Sequence, residues 1–324
     1  MTAPLPASLP PRLRLRPVTP AGWLRLTLAG RPLLSRLART LAALPEGLTP
    51  DERTARQREA SLALLRHLRV RLEVTGLEQL RGGPFVVVAL HESLLDVPAL
   101  LTLPLPLRFA ARDEIFGWPL VGPAITRLGH LCVRPERGAA AYRQLLRAGG
   151  EVLAGGESLA LFPQGSVLGL ETAFQPGAFA LARHLGAPLL PVVLTGGHCV
   201  WEHPFGPALR YGVRMGLRVL PPVPAPEVVA TPPDLLRAQL QREMKDAALA
   251  GDLPPPRRYV PERDGFWDGY RFDIDPAFPE LHARIEARRL PRGDPHEIRD
   301  PAPADPALPR PGRPEPRRLA RRDP

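Results

Sequence analysis

The 324 residues are 44% hydrophobic, enough for one sizeable catalytic domain with appendages, and their formal net charge of +10 suits an anionic partner such as a phospholipid surface, a phosphorylated substrate or a nucleic acid. Lys245 is the only lysine, so the basicity is almost all arginine, a pattern that coding bias also produces. Two cysteines, Cys132 and Cys199, exclude a disulfide framework and carry no CxxC spacing, which points to a reducing, cytosolic compartment. No run of about 18 apolar residues is free of charge or closely spaced proline, so any meeting with a membrane is expected at its surface.

Residues 1–20, broken by six prolines and without a signal-peptide pattern, read as a flexible Pro/Arg-rich arm. The 21–66 segment reads as helical. In it Leu26, Leu33, Leu37, Leu41 and Leu44 recur at helical spacing, interleaved with Arg25, Arg31, Arg36 and Arg39. Such a helix, with Trp23 near one end, lies in the headgroup plane of a bilayer or packs its leucines on the domain. Both readings stay open.

From Arg69 to Val74 charged and apolar residues alternate as in a half-buried strand, ended by Gly76. Apolar runs of strand length follow at Phe85–Leu90, Leu107–Ala111, Leu131–Val133, Leu159–Phe162 and Leu189–Leu194, separated by helix-length segments, with a further strand at Val213–Leu220 and a helix at Pro233–Leu249. This alternation predicts one α/β domain over 67–251, a sheet flanked by helices. A C-terminal extension, 252–290, contains FWDGYRF, read as a flap packed on the domain, and a short helix over Leu281–Arg289. The remainder, 291–324, holds ten prolines and few large apolar residues, so it reads as a disordered tail.

Chemistry concentrates where strands end. The run VVVAL delivers His91, and Asp96 follows five positions later. On a continuous helix these two point about 140° apart. They converge if His91 occupies the strand-to-helix turn and Asp96 the first turn of the next helix, a placement that Pro98 favours. A carboxylate on one ring nitrogen then leaves the other for a substrate, the base-plus-orienter part of a triad. A capping role for Ser93 and Asp96 and an ordinary buried imidazole are the structural alternatives. A second strand end, Phe162-Pro163-Gln164-Gly165, repeats the arrangement. His198, Cys199, Glu202 and His203 form a cluster without a second ligand pair at zinc spacing, so a loop near the site is the preferred reading and no metal is expected.

HESLLD resembles the H-x4-D motif of the glycerolipid acyltransferase superfamily, which includes the 1-acylglycerol-3-phosphate acyltransferases, with His91, Ser93 and Asp96 at matching positions. Three further blocks follow in order: Arg112 to Ile115 with Trp118 to Gly122 and Gly129 to Val133, then Leu161 to Ser166, then Pro188 to Val193. The match covers 70–220. It implies a single acyltransferase domain with a mixed sheet, and acyl transfer from acyl-CoA or acyl carrier protein to a lipid hydroxyl. In that reading His91 is the general base, Asp96 its orienter, and no metal or other cofactor takes part.

The resemblance makes Ser93, Arg112, Arg134, Arg137, Phe162, Pro163, Gln164, Gly165 and Ser166 substrate-binding candidates. The family's phosphate-associated positions fall on Pro135, Gln164 and Val167, with Arg134 or Arg137 as substitutes for the first. The acceptor is therefore lysophosphatidate-like or a less anionic lipid. The implied location is cytoplasmic, peripheral on the inner face of the membrane, with no nucleic acid as partner. A non-catalytic lipid-binding or scaffold protein on the same fold is the alternative.

Overall fold

The structure, a computed structural model, describes residues 28, 31–45, 47–119, 121–134, 137–201, 209–264 and 273–287. Within them seven strands form one sheet: β1 (Arg71–Thr75), β2 (Val86–Ala89), β3 (Leu107–Arg112), β4 (Leu131–Val133), β5 (Ser158–Leu161), β6 (Leu189–Thr195) and β7 (Arg214–Val219). Their spatial order is β1-β7-β6-β2-β5-β3-β4. All neighbouring pairs are parallel except β6 and β7, so the sheet is mixed, as expected. β1 begins at Arg71, two residues later than its alternation suggests, because Arg69 takes a left-handed backbone, φ 52°, as the chain leaves the preceding helix.

Central strands buried on both faces need apolar side chains at every position, which is why β2 and β6 read as continuous Val and Leu runs. Successive side chains alternate between two cores. Val87 and Ala89 pack with Leu65 and Leu68 at the end of helix Pro50–His67, and with Leu100 of helix Asp96–Leu100. Val86, Val88 and Leu90 face the other way, toward Phe179 of helix Gly177–Leu185 and Leu236, Leu240 and Met244 of helix Pro233–Leu249. Helices thus cover both sheet faces and leave the strand ends to form the site.

The 21–66 segment contains two described helices instead of one. Arg31–Ala42 ends before Pro45, and Pro50–His67 starts afresh with a reciprocal capping box in which Thr49 and Glu52 bond each other's backbone N–H. Along Arg31–Ala42 the leucines are half-buried, Leu34 against the core beneath, while Arg31, Arg36 and Arg39 are exposed. Trp23 and the arm lie outside the described residues, as do 266–272 of the FWDGYRF segment and the 291–324 tail.

Where the C-terminal extension is described, it is stitched onto the domain. The Leu170 N–H donates to the Arg257 carbonyl at 2.9 Å, the Tyr259 N–H to Glu171 Oε2 at 2.8 Å, and Thr172 bridges to Ile274. Buried Lys245 clamps a later stretch, reaching Asp275 Oδ2 at 2.6 Å and the Thr172 carbonyl at 2.8 Å. The helix expected over Leu281–Arg289 is described as Pro279–Glu286, starting where proline favours a first turn.

At the amino edge of the sheet, Glu157 is 2% exposed and accepts from Arg53 Nη1 at 2.7 Å and from Arg108 Nη2 at 2.5 Å. Removing one carboxylate from a buried network strands its partners. Glu157→Gln is expected to lower the unfolding free energy by about 3 kcal/mol or more in denaturant titration. A loss within the range of surface pairs, under about 1 kcal/mol, would contradict this reading of the clamp.

Candidate active site

β2 ends at Ala89, and the chain turns through His91 before helix Asp96–Leu100 begins at Asp96 itself. The turn folds around one carboxylate oxygen. Asp96 Oδ2 accepts the Glu92 N–H at 2.7 Å, the Ser93 N–H at 2.8 Å and His91 Nδ1 at 2.9 Å. One atom thus ties the turn that leads into the helix and orients His91, whereas the helix's own N-cap, Leu95, has no side-chain cap hydrogen bond. Asp96 is fully buried, and burial pushes its carboxyl up while the hydrogen bond and charge of His91 act against that push. Accepting Nδ1–H fixes the tautomer and leaves Nε2, which has no hydrogen-bond partner among the described residues, as the basic nitrogen.

The His91 ring stacks on Phe162, centroids 3.9 Å apart and planes 15° apart, and Phe162 in turn stacks on Phe109. Since β5 pairs directly with β2, the loop beginning at Phe162 lies beside the His91 turn. His91, Glu92, Gln164, Leu170, Pro256 and Arg257 share the lining of a small cleft. Arg257 is buried and pairs with equally buried Asp264 at 3.2 Å. It comes from the C-terminal extension, and no motif in the sequence marks it.

Two residues expected to bind substrate are turned inward. Gln164, 2% exposed, accepts the His91 N–H at 2.7 Å through Oε1 and donates through Nε2 to the Gly169 carbonyl at 2.9 Å and Thr172 Oγ1 at 3.0 Å. An amide suits this position because the Gly169 carbonyl, and Thr172 Oγ1 with its proton given to that carbonyl, both face Nε2 as acceptors, and an ionised glutamate has no donor for them. Gln164 thus positions the His91 turn. Ser93 is fully buried, donating to the Trp201 carbonyl at 2.7 Å and accepting the Leu95 N–H at 3.2 Å.

The remaining candidates spread along the carboxyl edge of the sheet. Pro163 is buried, its carbonyl taken by the Gln175 N–H, whereas Gly165 and half-buried Ser166 are reachable from the loop surface. Arg112 closes β3, two strands from His91, and bonds Glu114. Arg134 follows β4, a strand farther, and pairs with Asp113 at 3.1 Å; Arg137 is exposed just beyond. At about 4.8 Å per strand, Arg112 and Arg134 stand roughly 10 and 14 Å away from the His91 strand. They flank the site without touching the base.

Of the His198 cluster, Glu202 and His203 lie outside the described residues. His198 instead pairs across the site with Glu92, Nδ1 to Oε1 at 3.0 Å. Among the described residues no group of three or more His, Cys, Asp or Glu is disposed to hold a metal ion.

Gly197, at the head of that turn, is held by proximity to the site. A Cβ there would stand 2.6 Å from Asp96 Oδ1 and 3.1 Å from Ser93 Cβ. Gly197→Ala is expected to destabilise by about 1–3 kcal/mol and to displace the carboxylate from His91. Unfolding titration alongside turnover checks this, and wild-type values for both would show that the contact yields freely.

The geometry has counterparts in known proteins. Residues 71–195 match the family described as Acyltransferase. A 1-acyl-sn-glycerol-3-phosphate acyltransferase of Brassica napus, BAT2, is 31% identical over 128 residues, 38% of this chain and 37% of that protein. A lyso-ornithine lipid O-acyltransferase of Pseudomonas aeruginosa is 32% identical over 114 residues, 35% of this chain and 43% of that protein. The chain thus spans less than half the length of either relative. The fold is that of the crystal structure of PlsC, the 1-acyl-sn-glycerophosphate acyltransferase from Thermotoga maritima, with a TM-score of 0.51 at 20% identity over 71% of this chain and 92% of that one. Over residues 71–195 the chain is thus similar to the Acyltransferase family and to named lysolipid acyltransferases, on a fold shared with PlsC.

Proposed function

We propose that this chain is an O-acyltransferase that moves an acyl group from the thioester of acyl-CoA or acyl carrier protein to a hydroxyl of a lysolipid. The observation that carries the reading is the 2.9 Å contact between His91 Nδ1 and Asp96 Oδ2 at the rim of a cleft, with Nε2 left for substrate. The acceptor hydroxyl loses its proton to Nε2 as its oxygen attacks the thioester carbonyl. Asp96 stabilises the imidazolium so formed, and collapse of the tetrahedral intermediate expels the thiolate, which takes that proton.

The acceptor is lysophosphatidate-like or less anionic. The relatives' names cover both a phosphate-bearing and an ornithine-bearing lysolipid. Uncharged Val167 favours the less anionic end. Action at the inner membrane surface is part of the proposal. Among the described residues no helix is long and apolar enough to cross a bilayer, and the exposed arginines of Arg31–Ala42 suit contact with anionic headgroups.

The test supplies palmitoyl-CoA or palmitoyl acyl carrier protein with lysophosphatidate, a zwitterionic lysophospholipid or a lyso-ornithine lipid. Free thiol and diacylated product are followed by mass spectrometry. Acceptor-dependent thiol release with a matching product is expected, and the product mass names the acceptor. No release with any pair would overturn the proposal in favour of a lipid-binding protein on this fold.

A further inference from the structure

The turn after β6 sets a second group of reactive side chains on the same edge of the sheet as His91, since β6 pairs directly with β2. Cys199 Sγ lies 3.3 Å from His198 Nε2, and His198 Nδ1 lies 3.0 Å from Glu92 Oε1. Thiol, imidazole and carboxylate stand in series within hydrogen-bond reach, the order of nucleophile, base and orienter. Glu92 is held firmly in the orienting position, because it is 4% exposed and its other oxygen accepts the Arg257 N–H at 2.7 Å. Neither His198 nor Cys199 is sealed in the core; both are half-buried and within reach of a small electrophile.

The His91–Asp96 mechanism uses none of these three groups, and two of them are costly where they are. A buried carboxylate and a largely buried imidazole need each other as partners, yet a structural pair needs no thiol at the imidazole's far nitrogen. Burial pushes His198 down, but hydrogen bonds and charge from Cys199 and Glu92 outweigh it and leave the imidazole pushed up to about 10. The ring is therefore held as imidazolium, donating through Nδ1 to Glu92 and through Nε2 to Cys199 Sγ.

We propose that Cys199 is a nucleophile that accepts the acyl group from the donor thioester, with His198 as its base and Glu92 orienting the base. Sγ, its proton already held on His198 Nε2, attacks the thioester carbonyl carbon. A new C–S bond forms at Cys199, the donor's C–S bond breaks, and His198 returns the proton to the departing thiol. One thioester replaces another, so no oxidant or other co-reactant is needed. The inference rests on the acyltransferase reading for the identity of its electrophile alone.

The experiment incubates the full chain with palmitoyl-CoA and no acceptor lipid, then reads intact mass and peptide maps. Wild type and His91→Ala are expected to gain one palmitoyl group on Cys199, released by neutral hydroxylamine. Cys199→Ser should gain none, and His198→Gln should acylate slower by roughly 10²-fold, the loss expected for a general base. Cys132, the other cysteine and also half-buried, serves as the internal reference. No adduct, or equal labelling of Cys132 and Cys199, would overturn the proposal, as would unchanged labelling in His198→Gln. Acceptor-dependent thiol release by the same preparations tests the proposed function separately. Release without a Cys199 adduct defeats this inference alone, whereas an adduct without transfer to any acceptor supports it and removes the function.

Discussion

His91→Ala is expected to lower acyl transfer by about 10²–10⁴-fold, the range for a lost general base, while leaving the fold intact. The position of this residue is fixed from three sides. Asp96 holds Nδ1, Phe162 covers a ring face at 3.9 Å, and Gln164 holds the backbone N–H at 2.7 Å. Truncation removes the stacked ring but leaves Asp96 Oδ2 with its two backbone donors, so the turn keeps its principal tie. The loss should therefore fall on kcat, with the KM of the lysolipid nearly unchanged. Rates of acceptor-dependent thiol release, with unfolding curves for both proteins, make the comparison. Equal rates would remove His91 from the chemistry, and a matching loss of stability would assign the effect to folding.

The strands were legible because a buried parallel strand has no choice but to be apolar throughout, and His91 and Asp96 were legible because their partnership is local, five residues within one turn. Helix Pro50–His67 carries its own start signal, Thr49 with Glu52, that leucine spacing upstream obscured. Glu92 was not legible. Its partners, His198 and the Arg257 N–H, lie 106 and 165 residues away, and nothing local distinguishes it from a solvated glutamate. The inward hydrogen bonds of Gln164 and Ser93 were not legible for a related reason. Sequence gives a residue's place in a motif, while the side the side chain faces depends on the chain packed behind it, here 169–172 and Trp201. The basic candidates Arg112 and Arg134 show the converse, since they reach the correct edge of the sheet and there meet acidic neighbours instead of the base.

Asp96→Asn separates geometry from charge. An asparagine can place its carbonyl oxygen where Oδ2 stands and keep all three donors, from His91, Glu92 and Ser93. Its amide nitrogen then occupies the Oδ1 position, buried and without a hydrogen-bond partner among the described residues, close against Gly197. The turn persists at a modest cost, but the group facing the imidazolium is neutral. Hydrogen bonds to charged groups contribute about 1.5–3 kcal/mol, of which the charge is roughly half. Because the imidazolium exists only after proton transfer begins, that loss falls on the transition state, and at about 1.4 kcal/mol per decade kcat should drop by about 3- to 12-fold. If the amide instead flips to relieve its buried nitrogen, its NH2 meets three donors, the turn opens, and the loss approaches that of His91→Ala. Stability distinguishes the two cases: the first leaves the unfolding midpoint near wild type, while the second lowers it together with activity. Wild-type kcat in a stable Asp96→Asn protein would show that His91 needs no charged partner, and that Asp96 serves only to tie the turn before the helix.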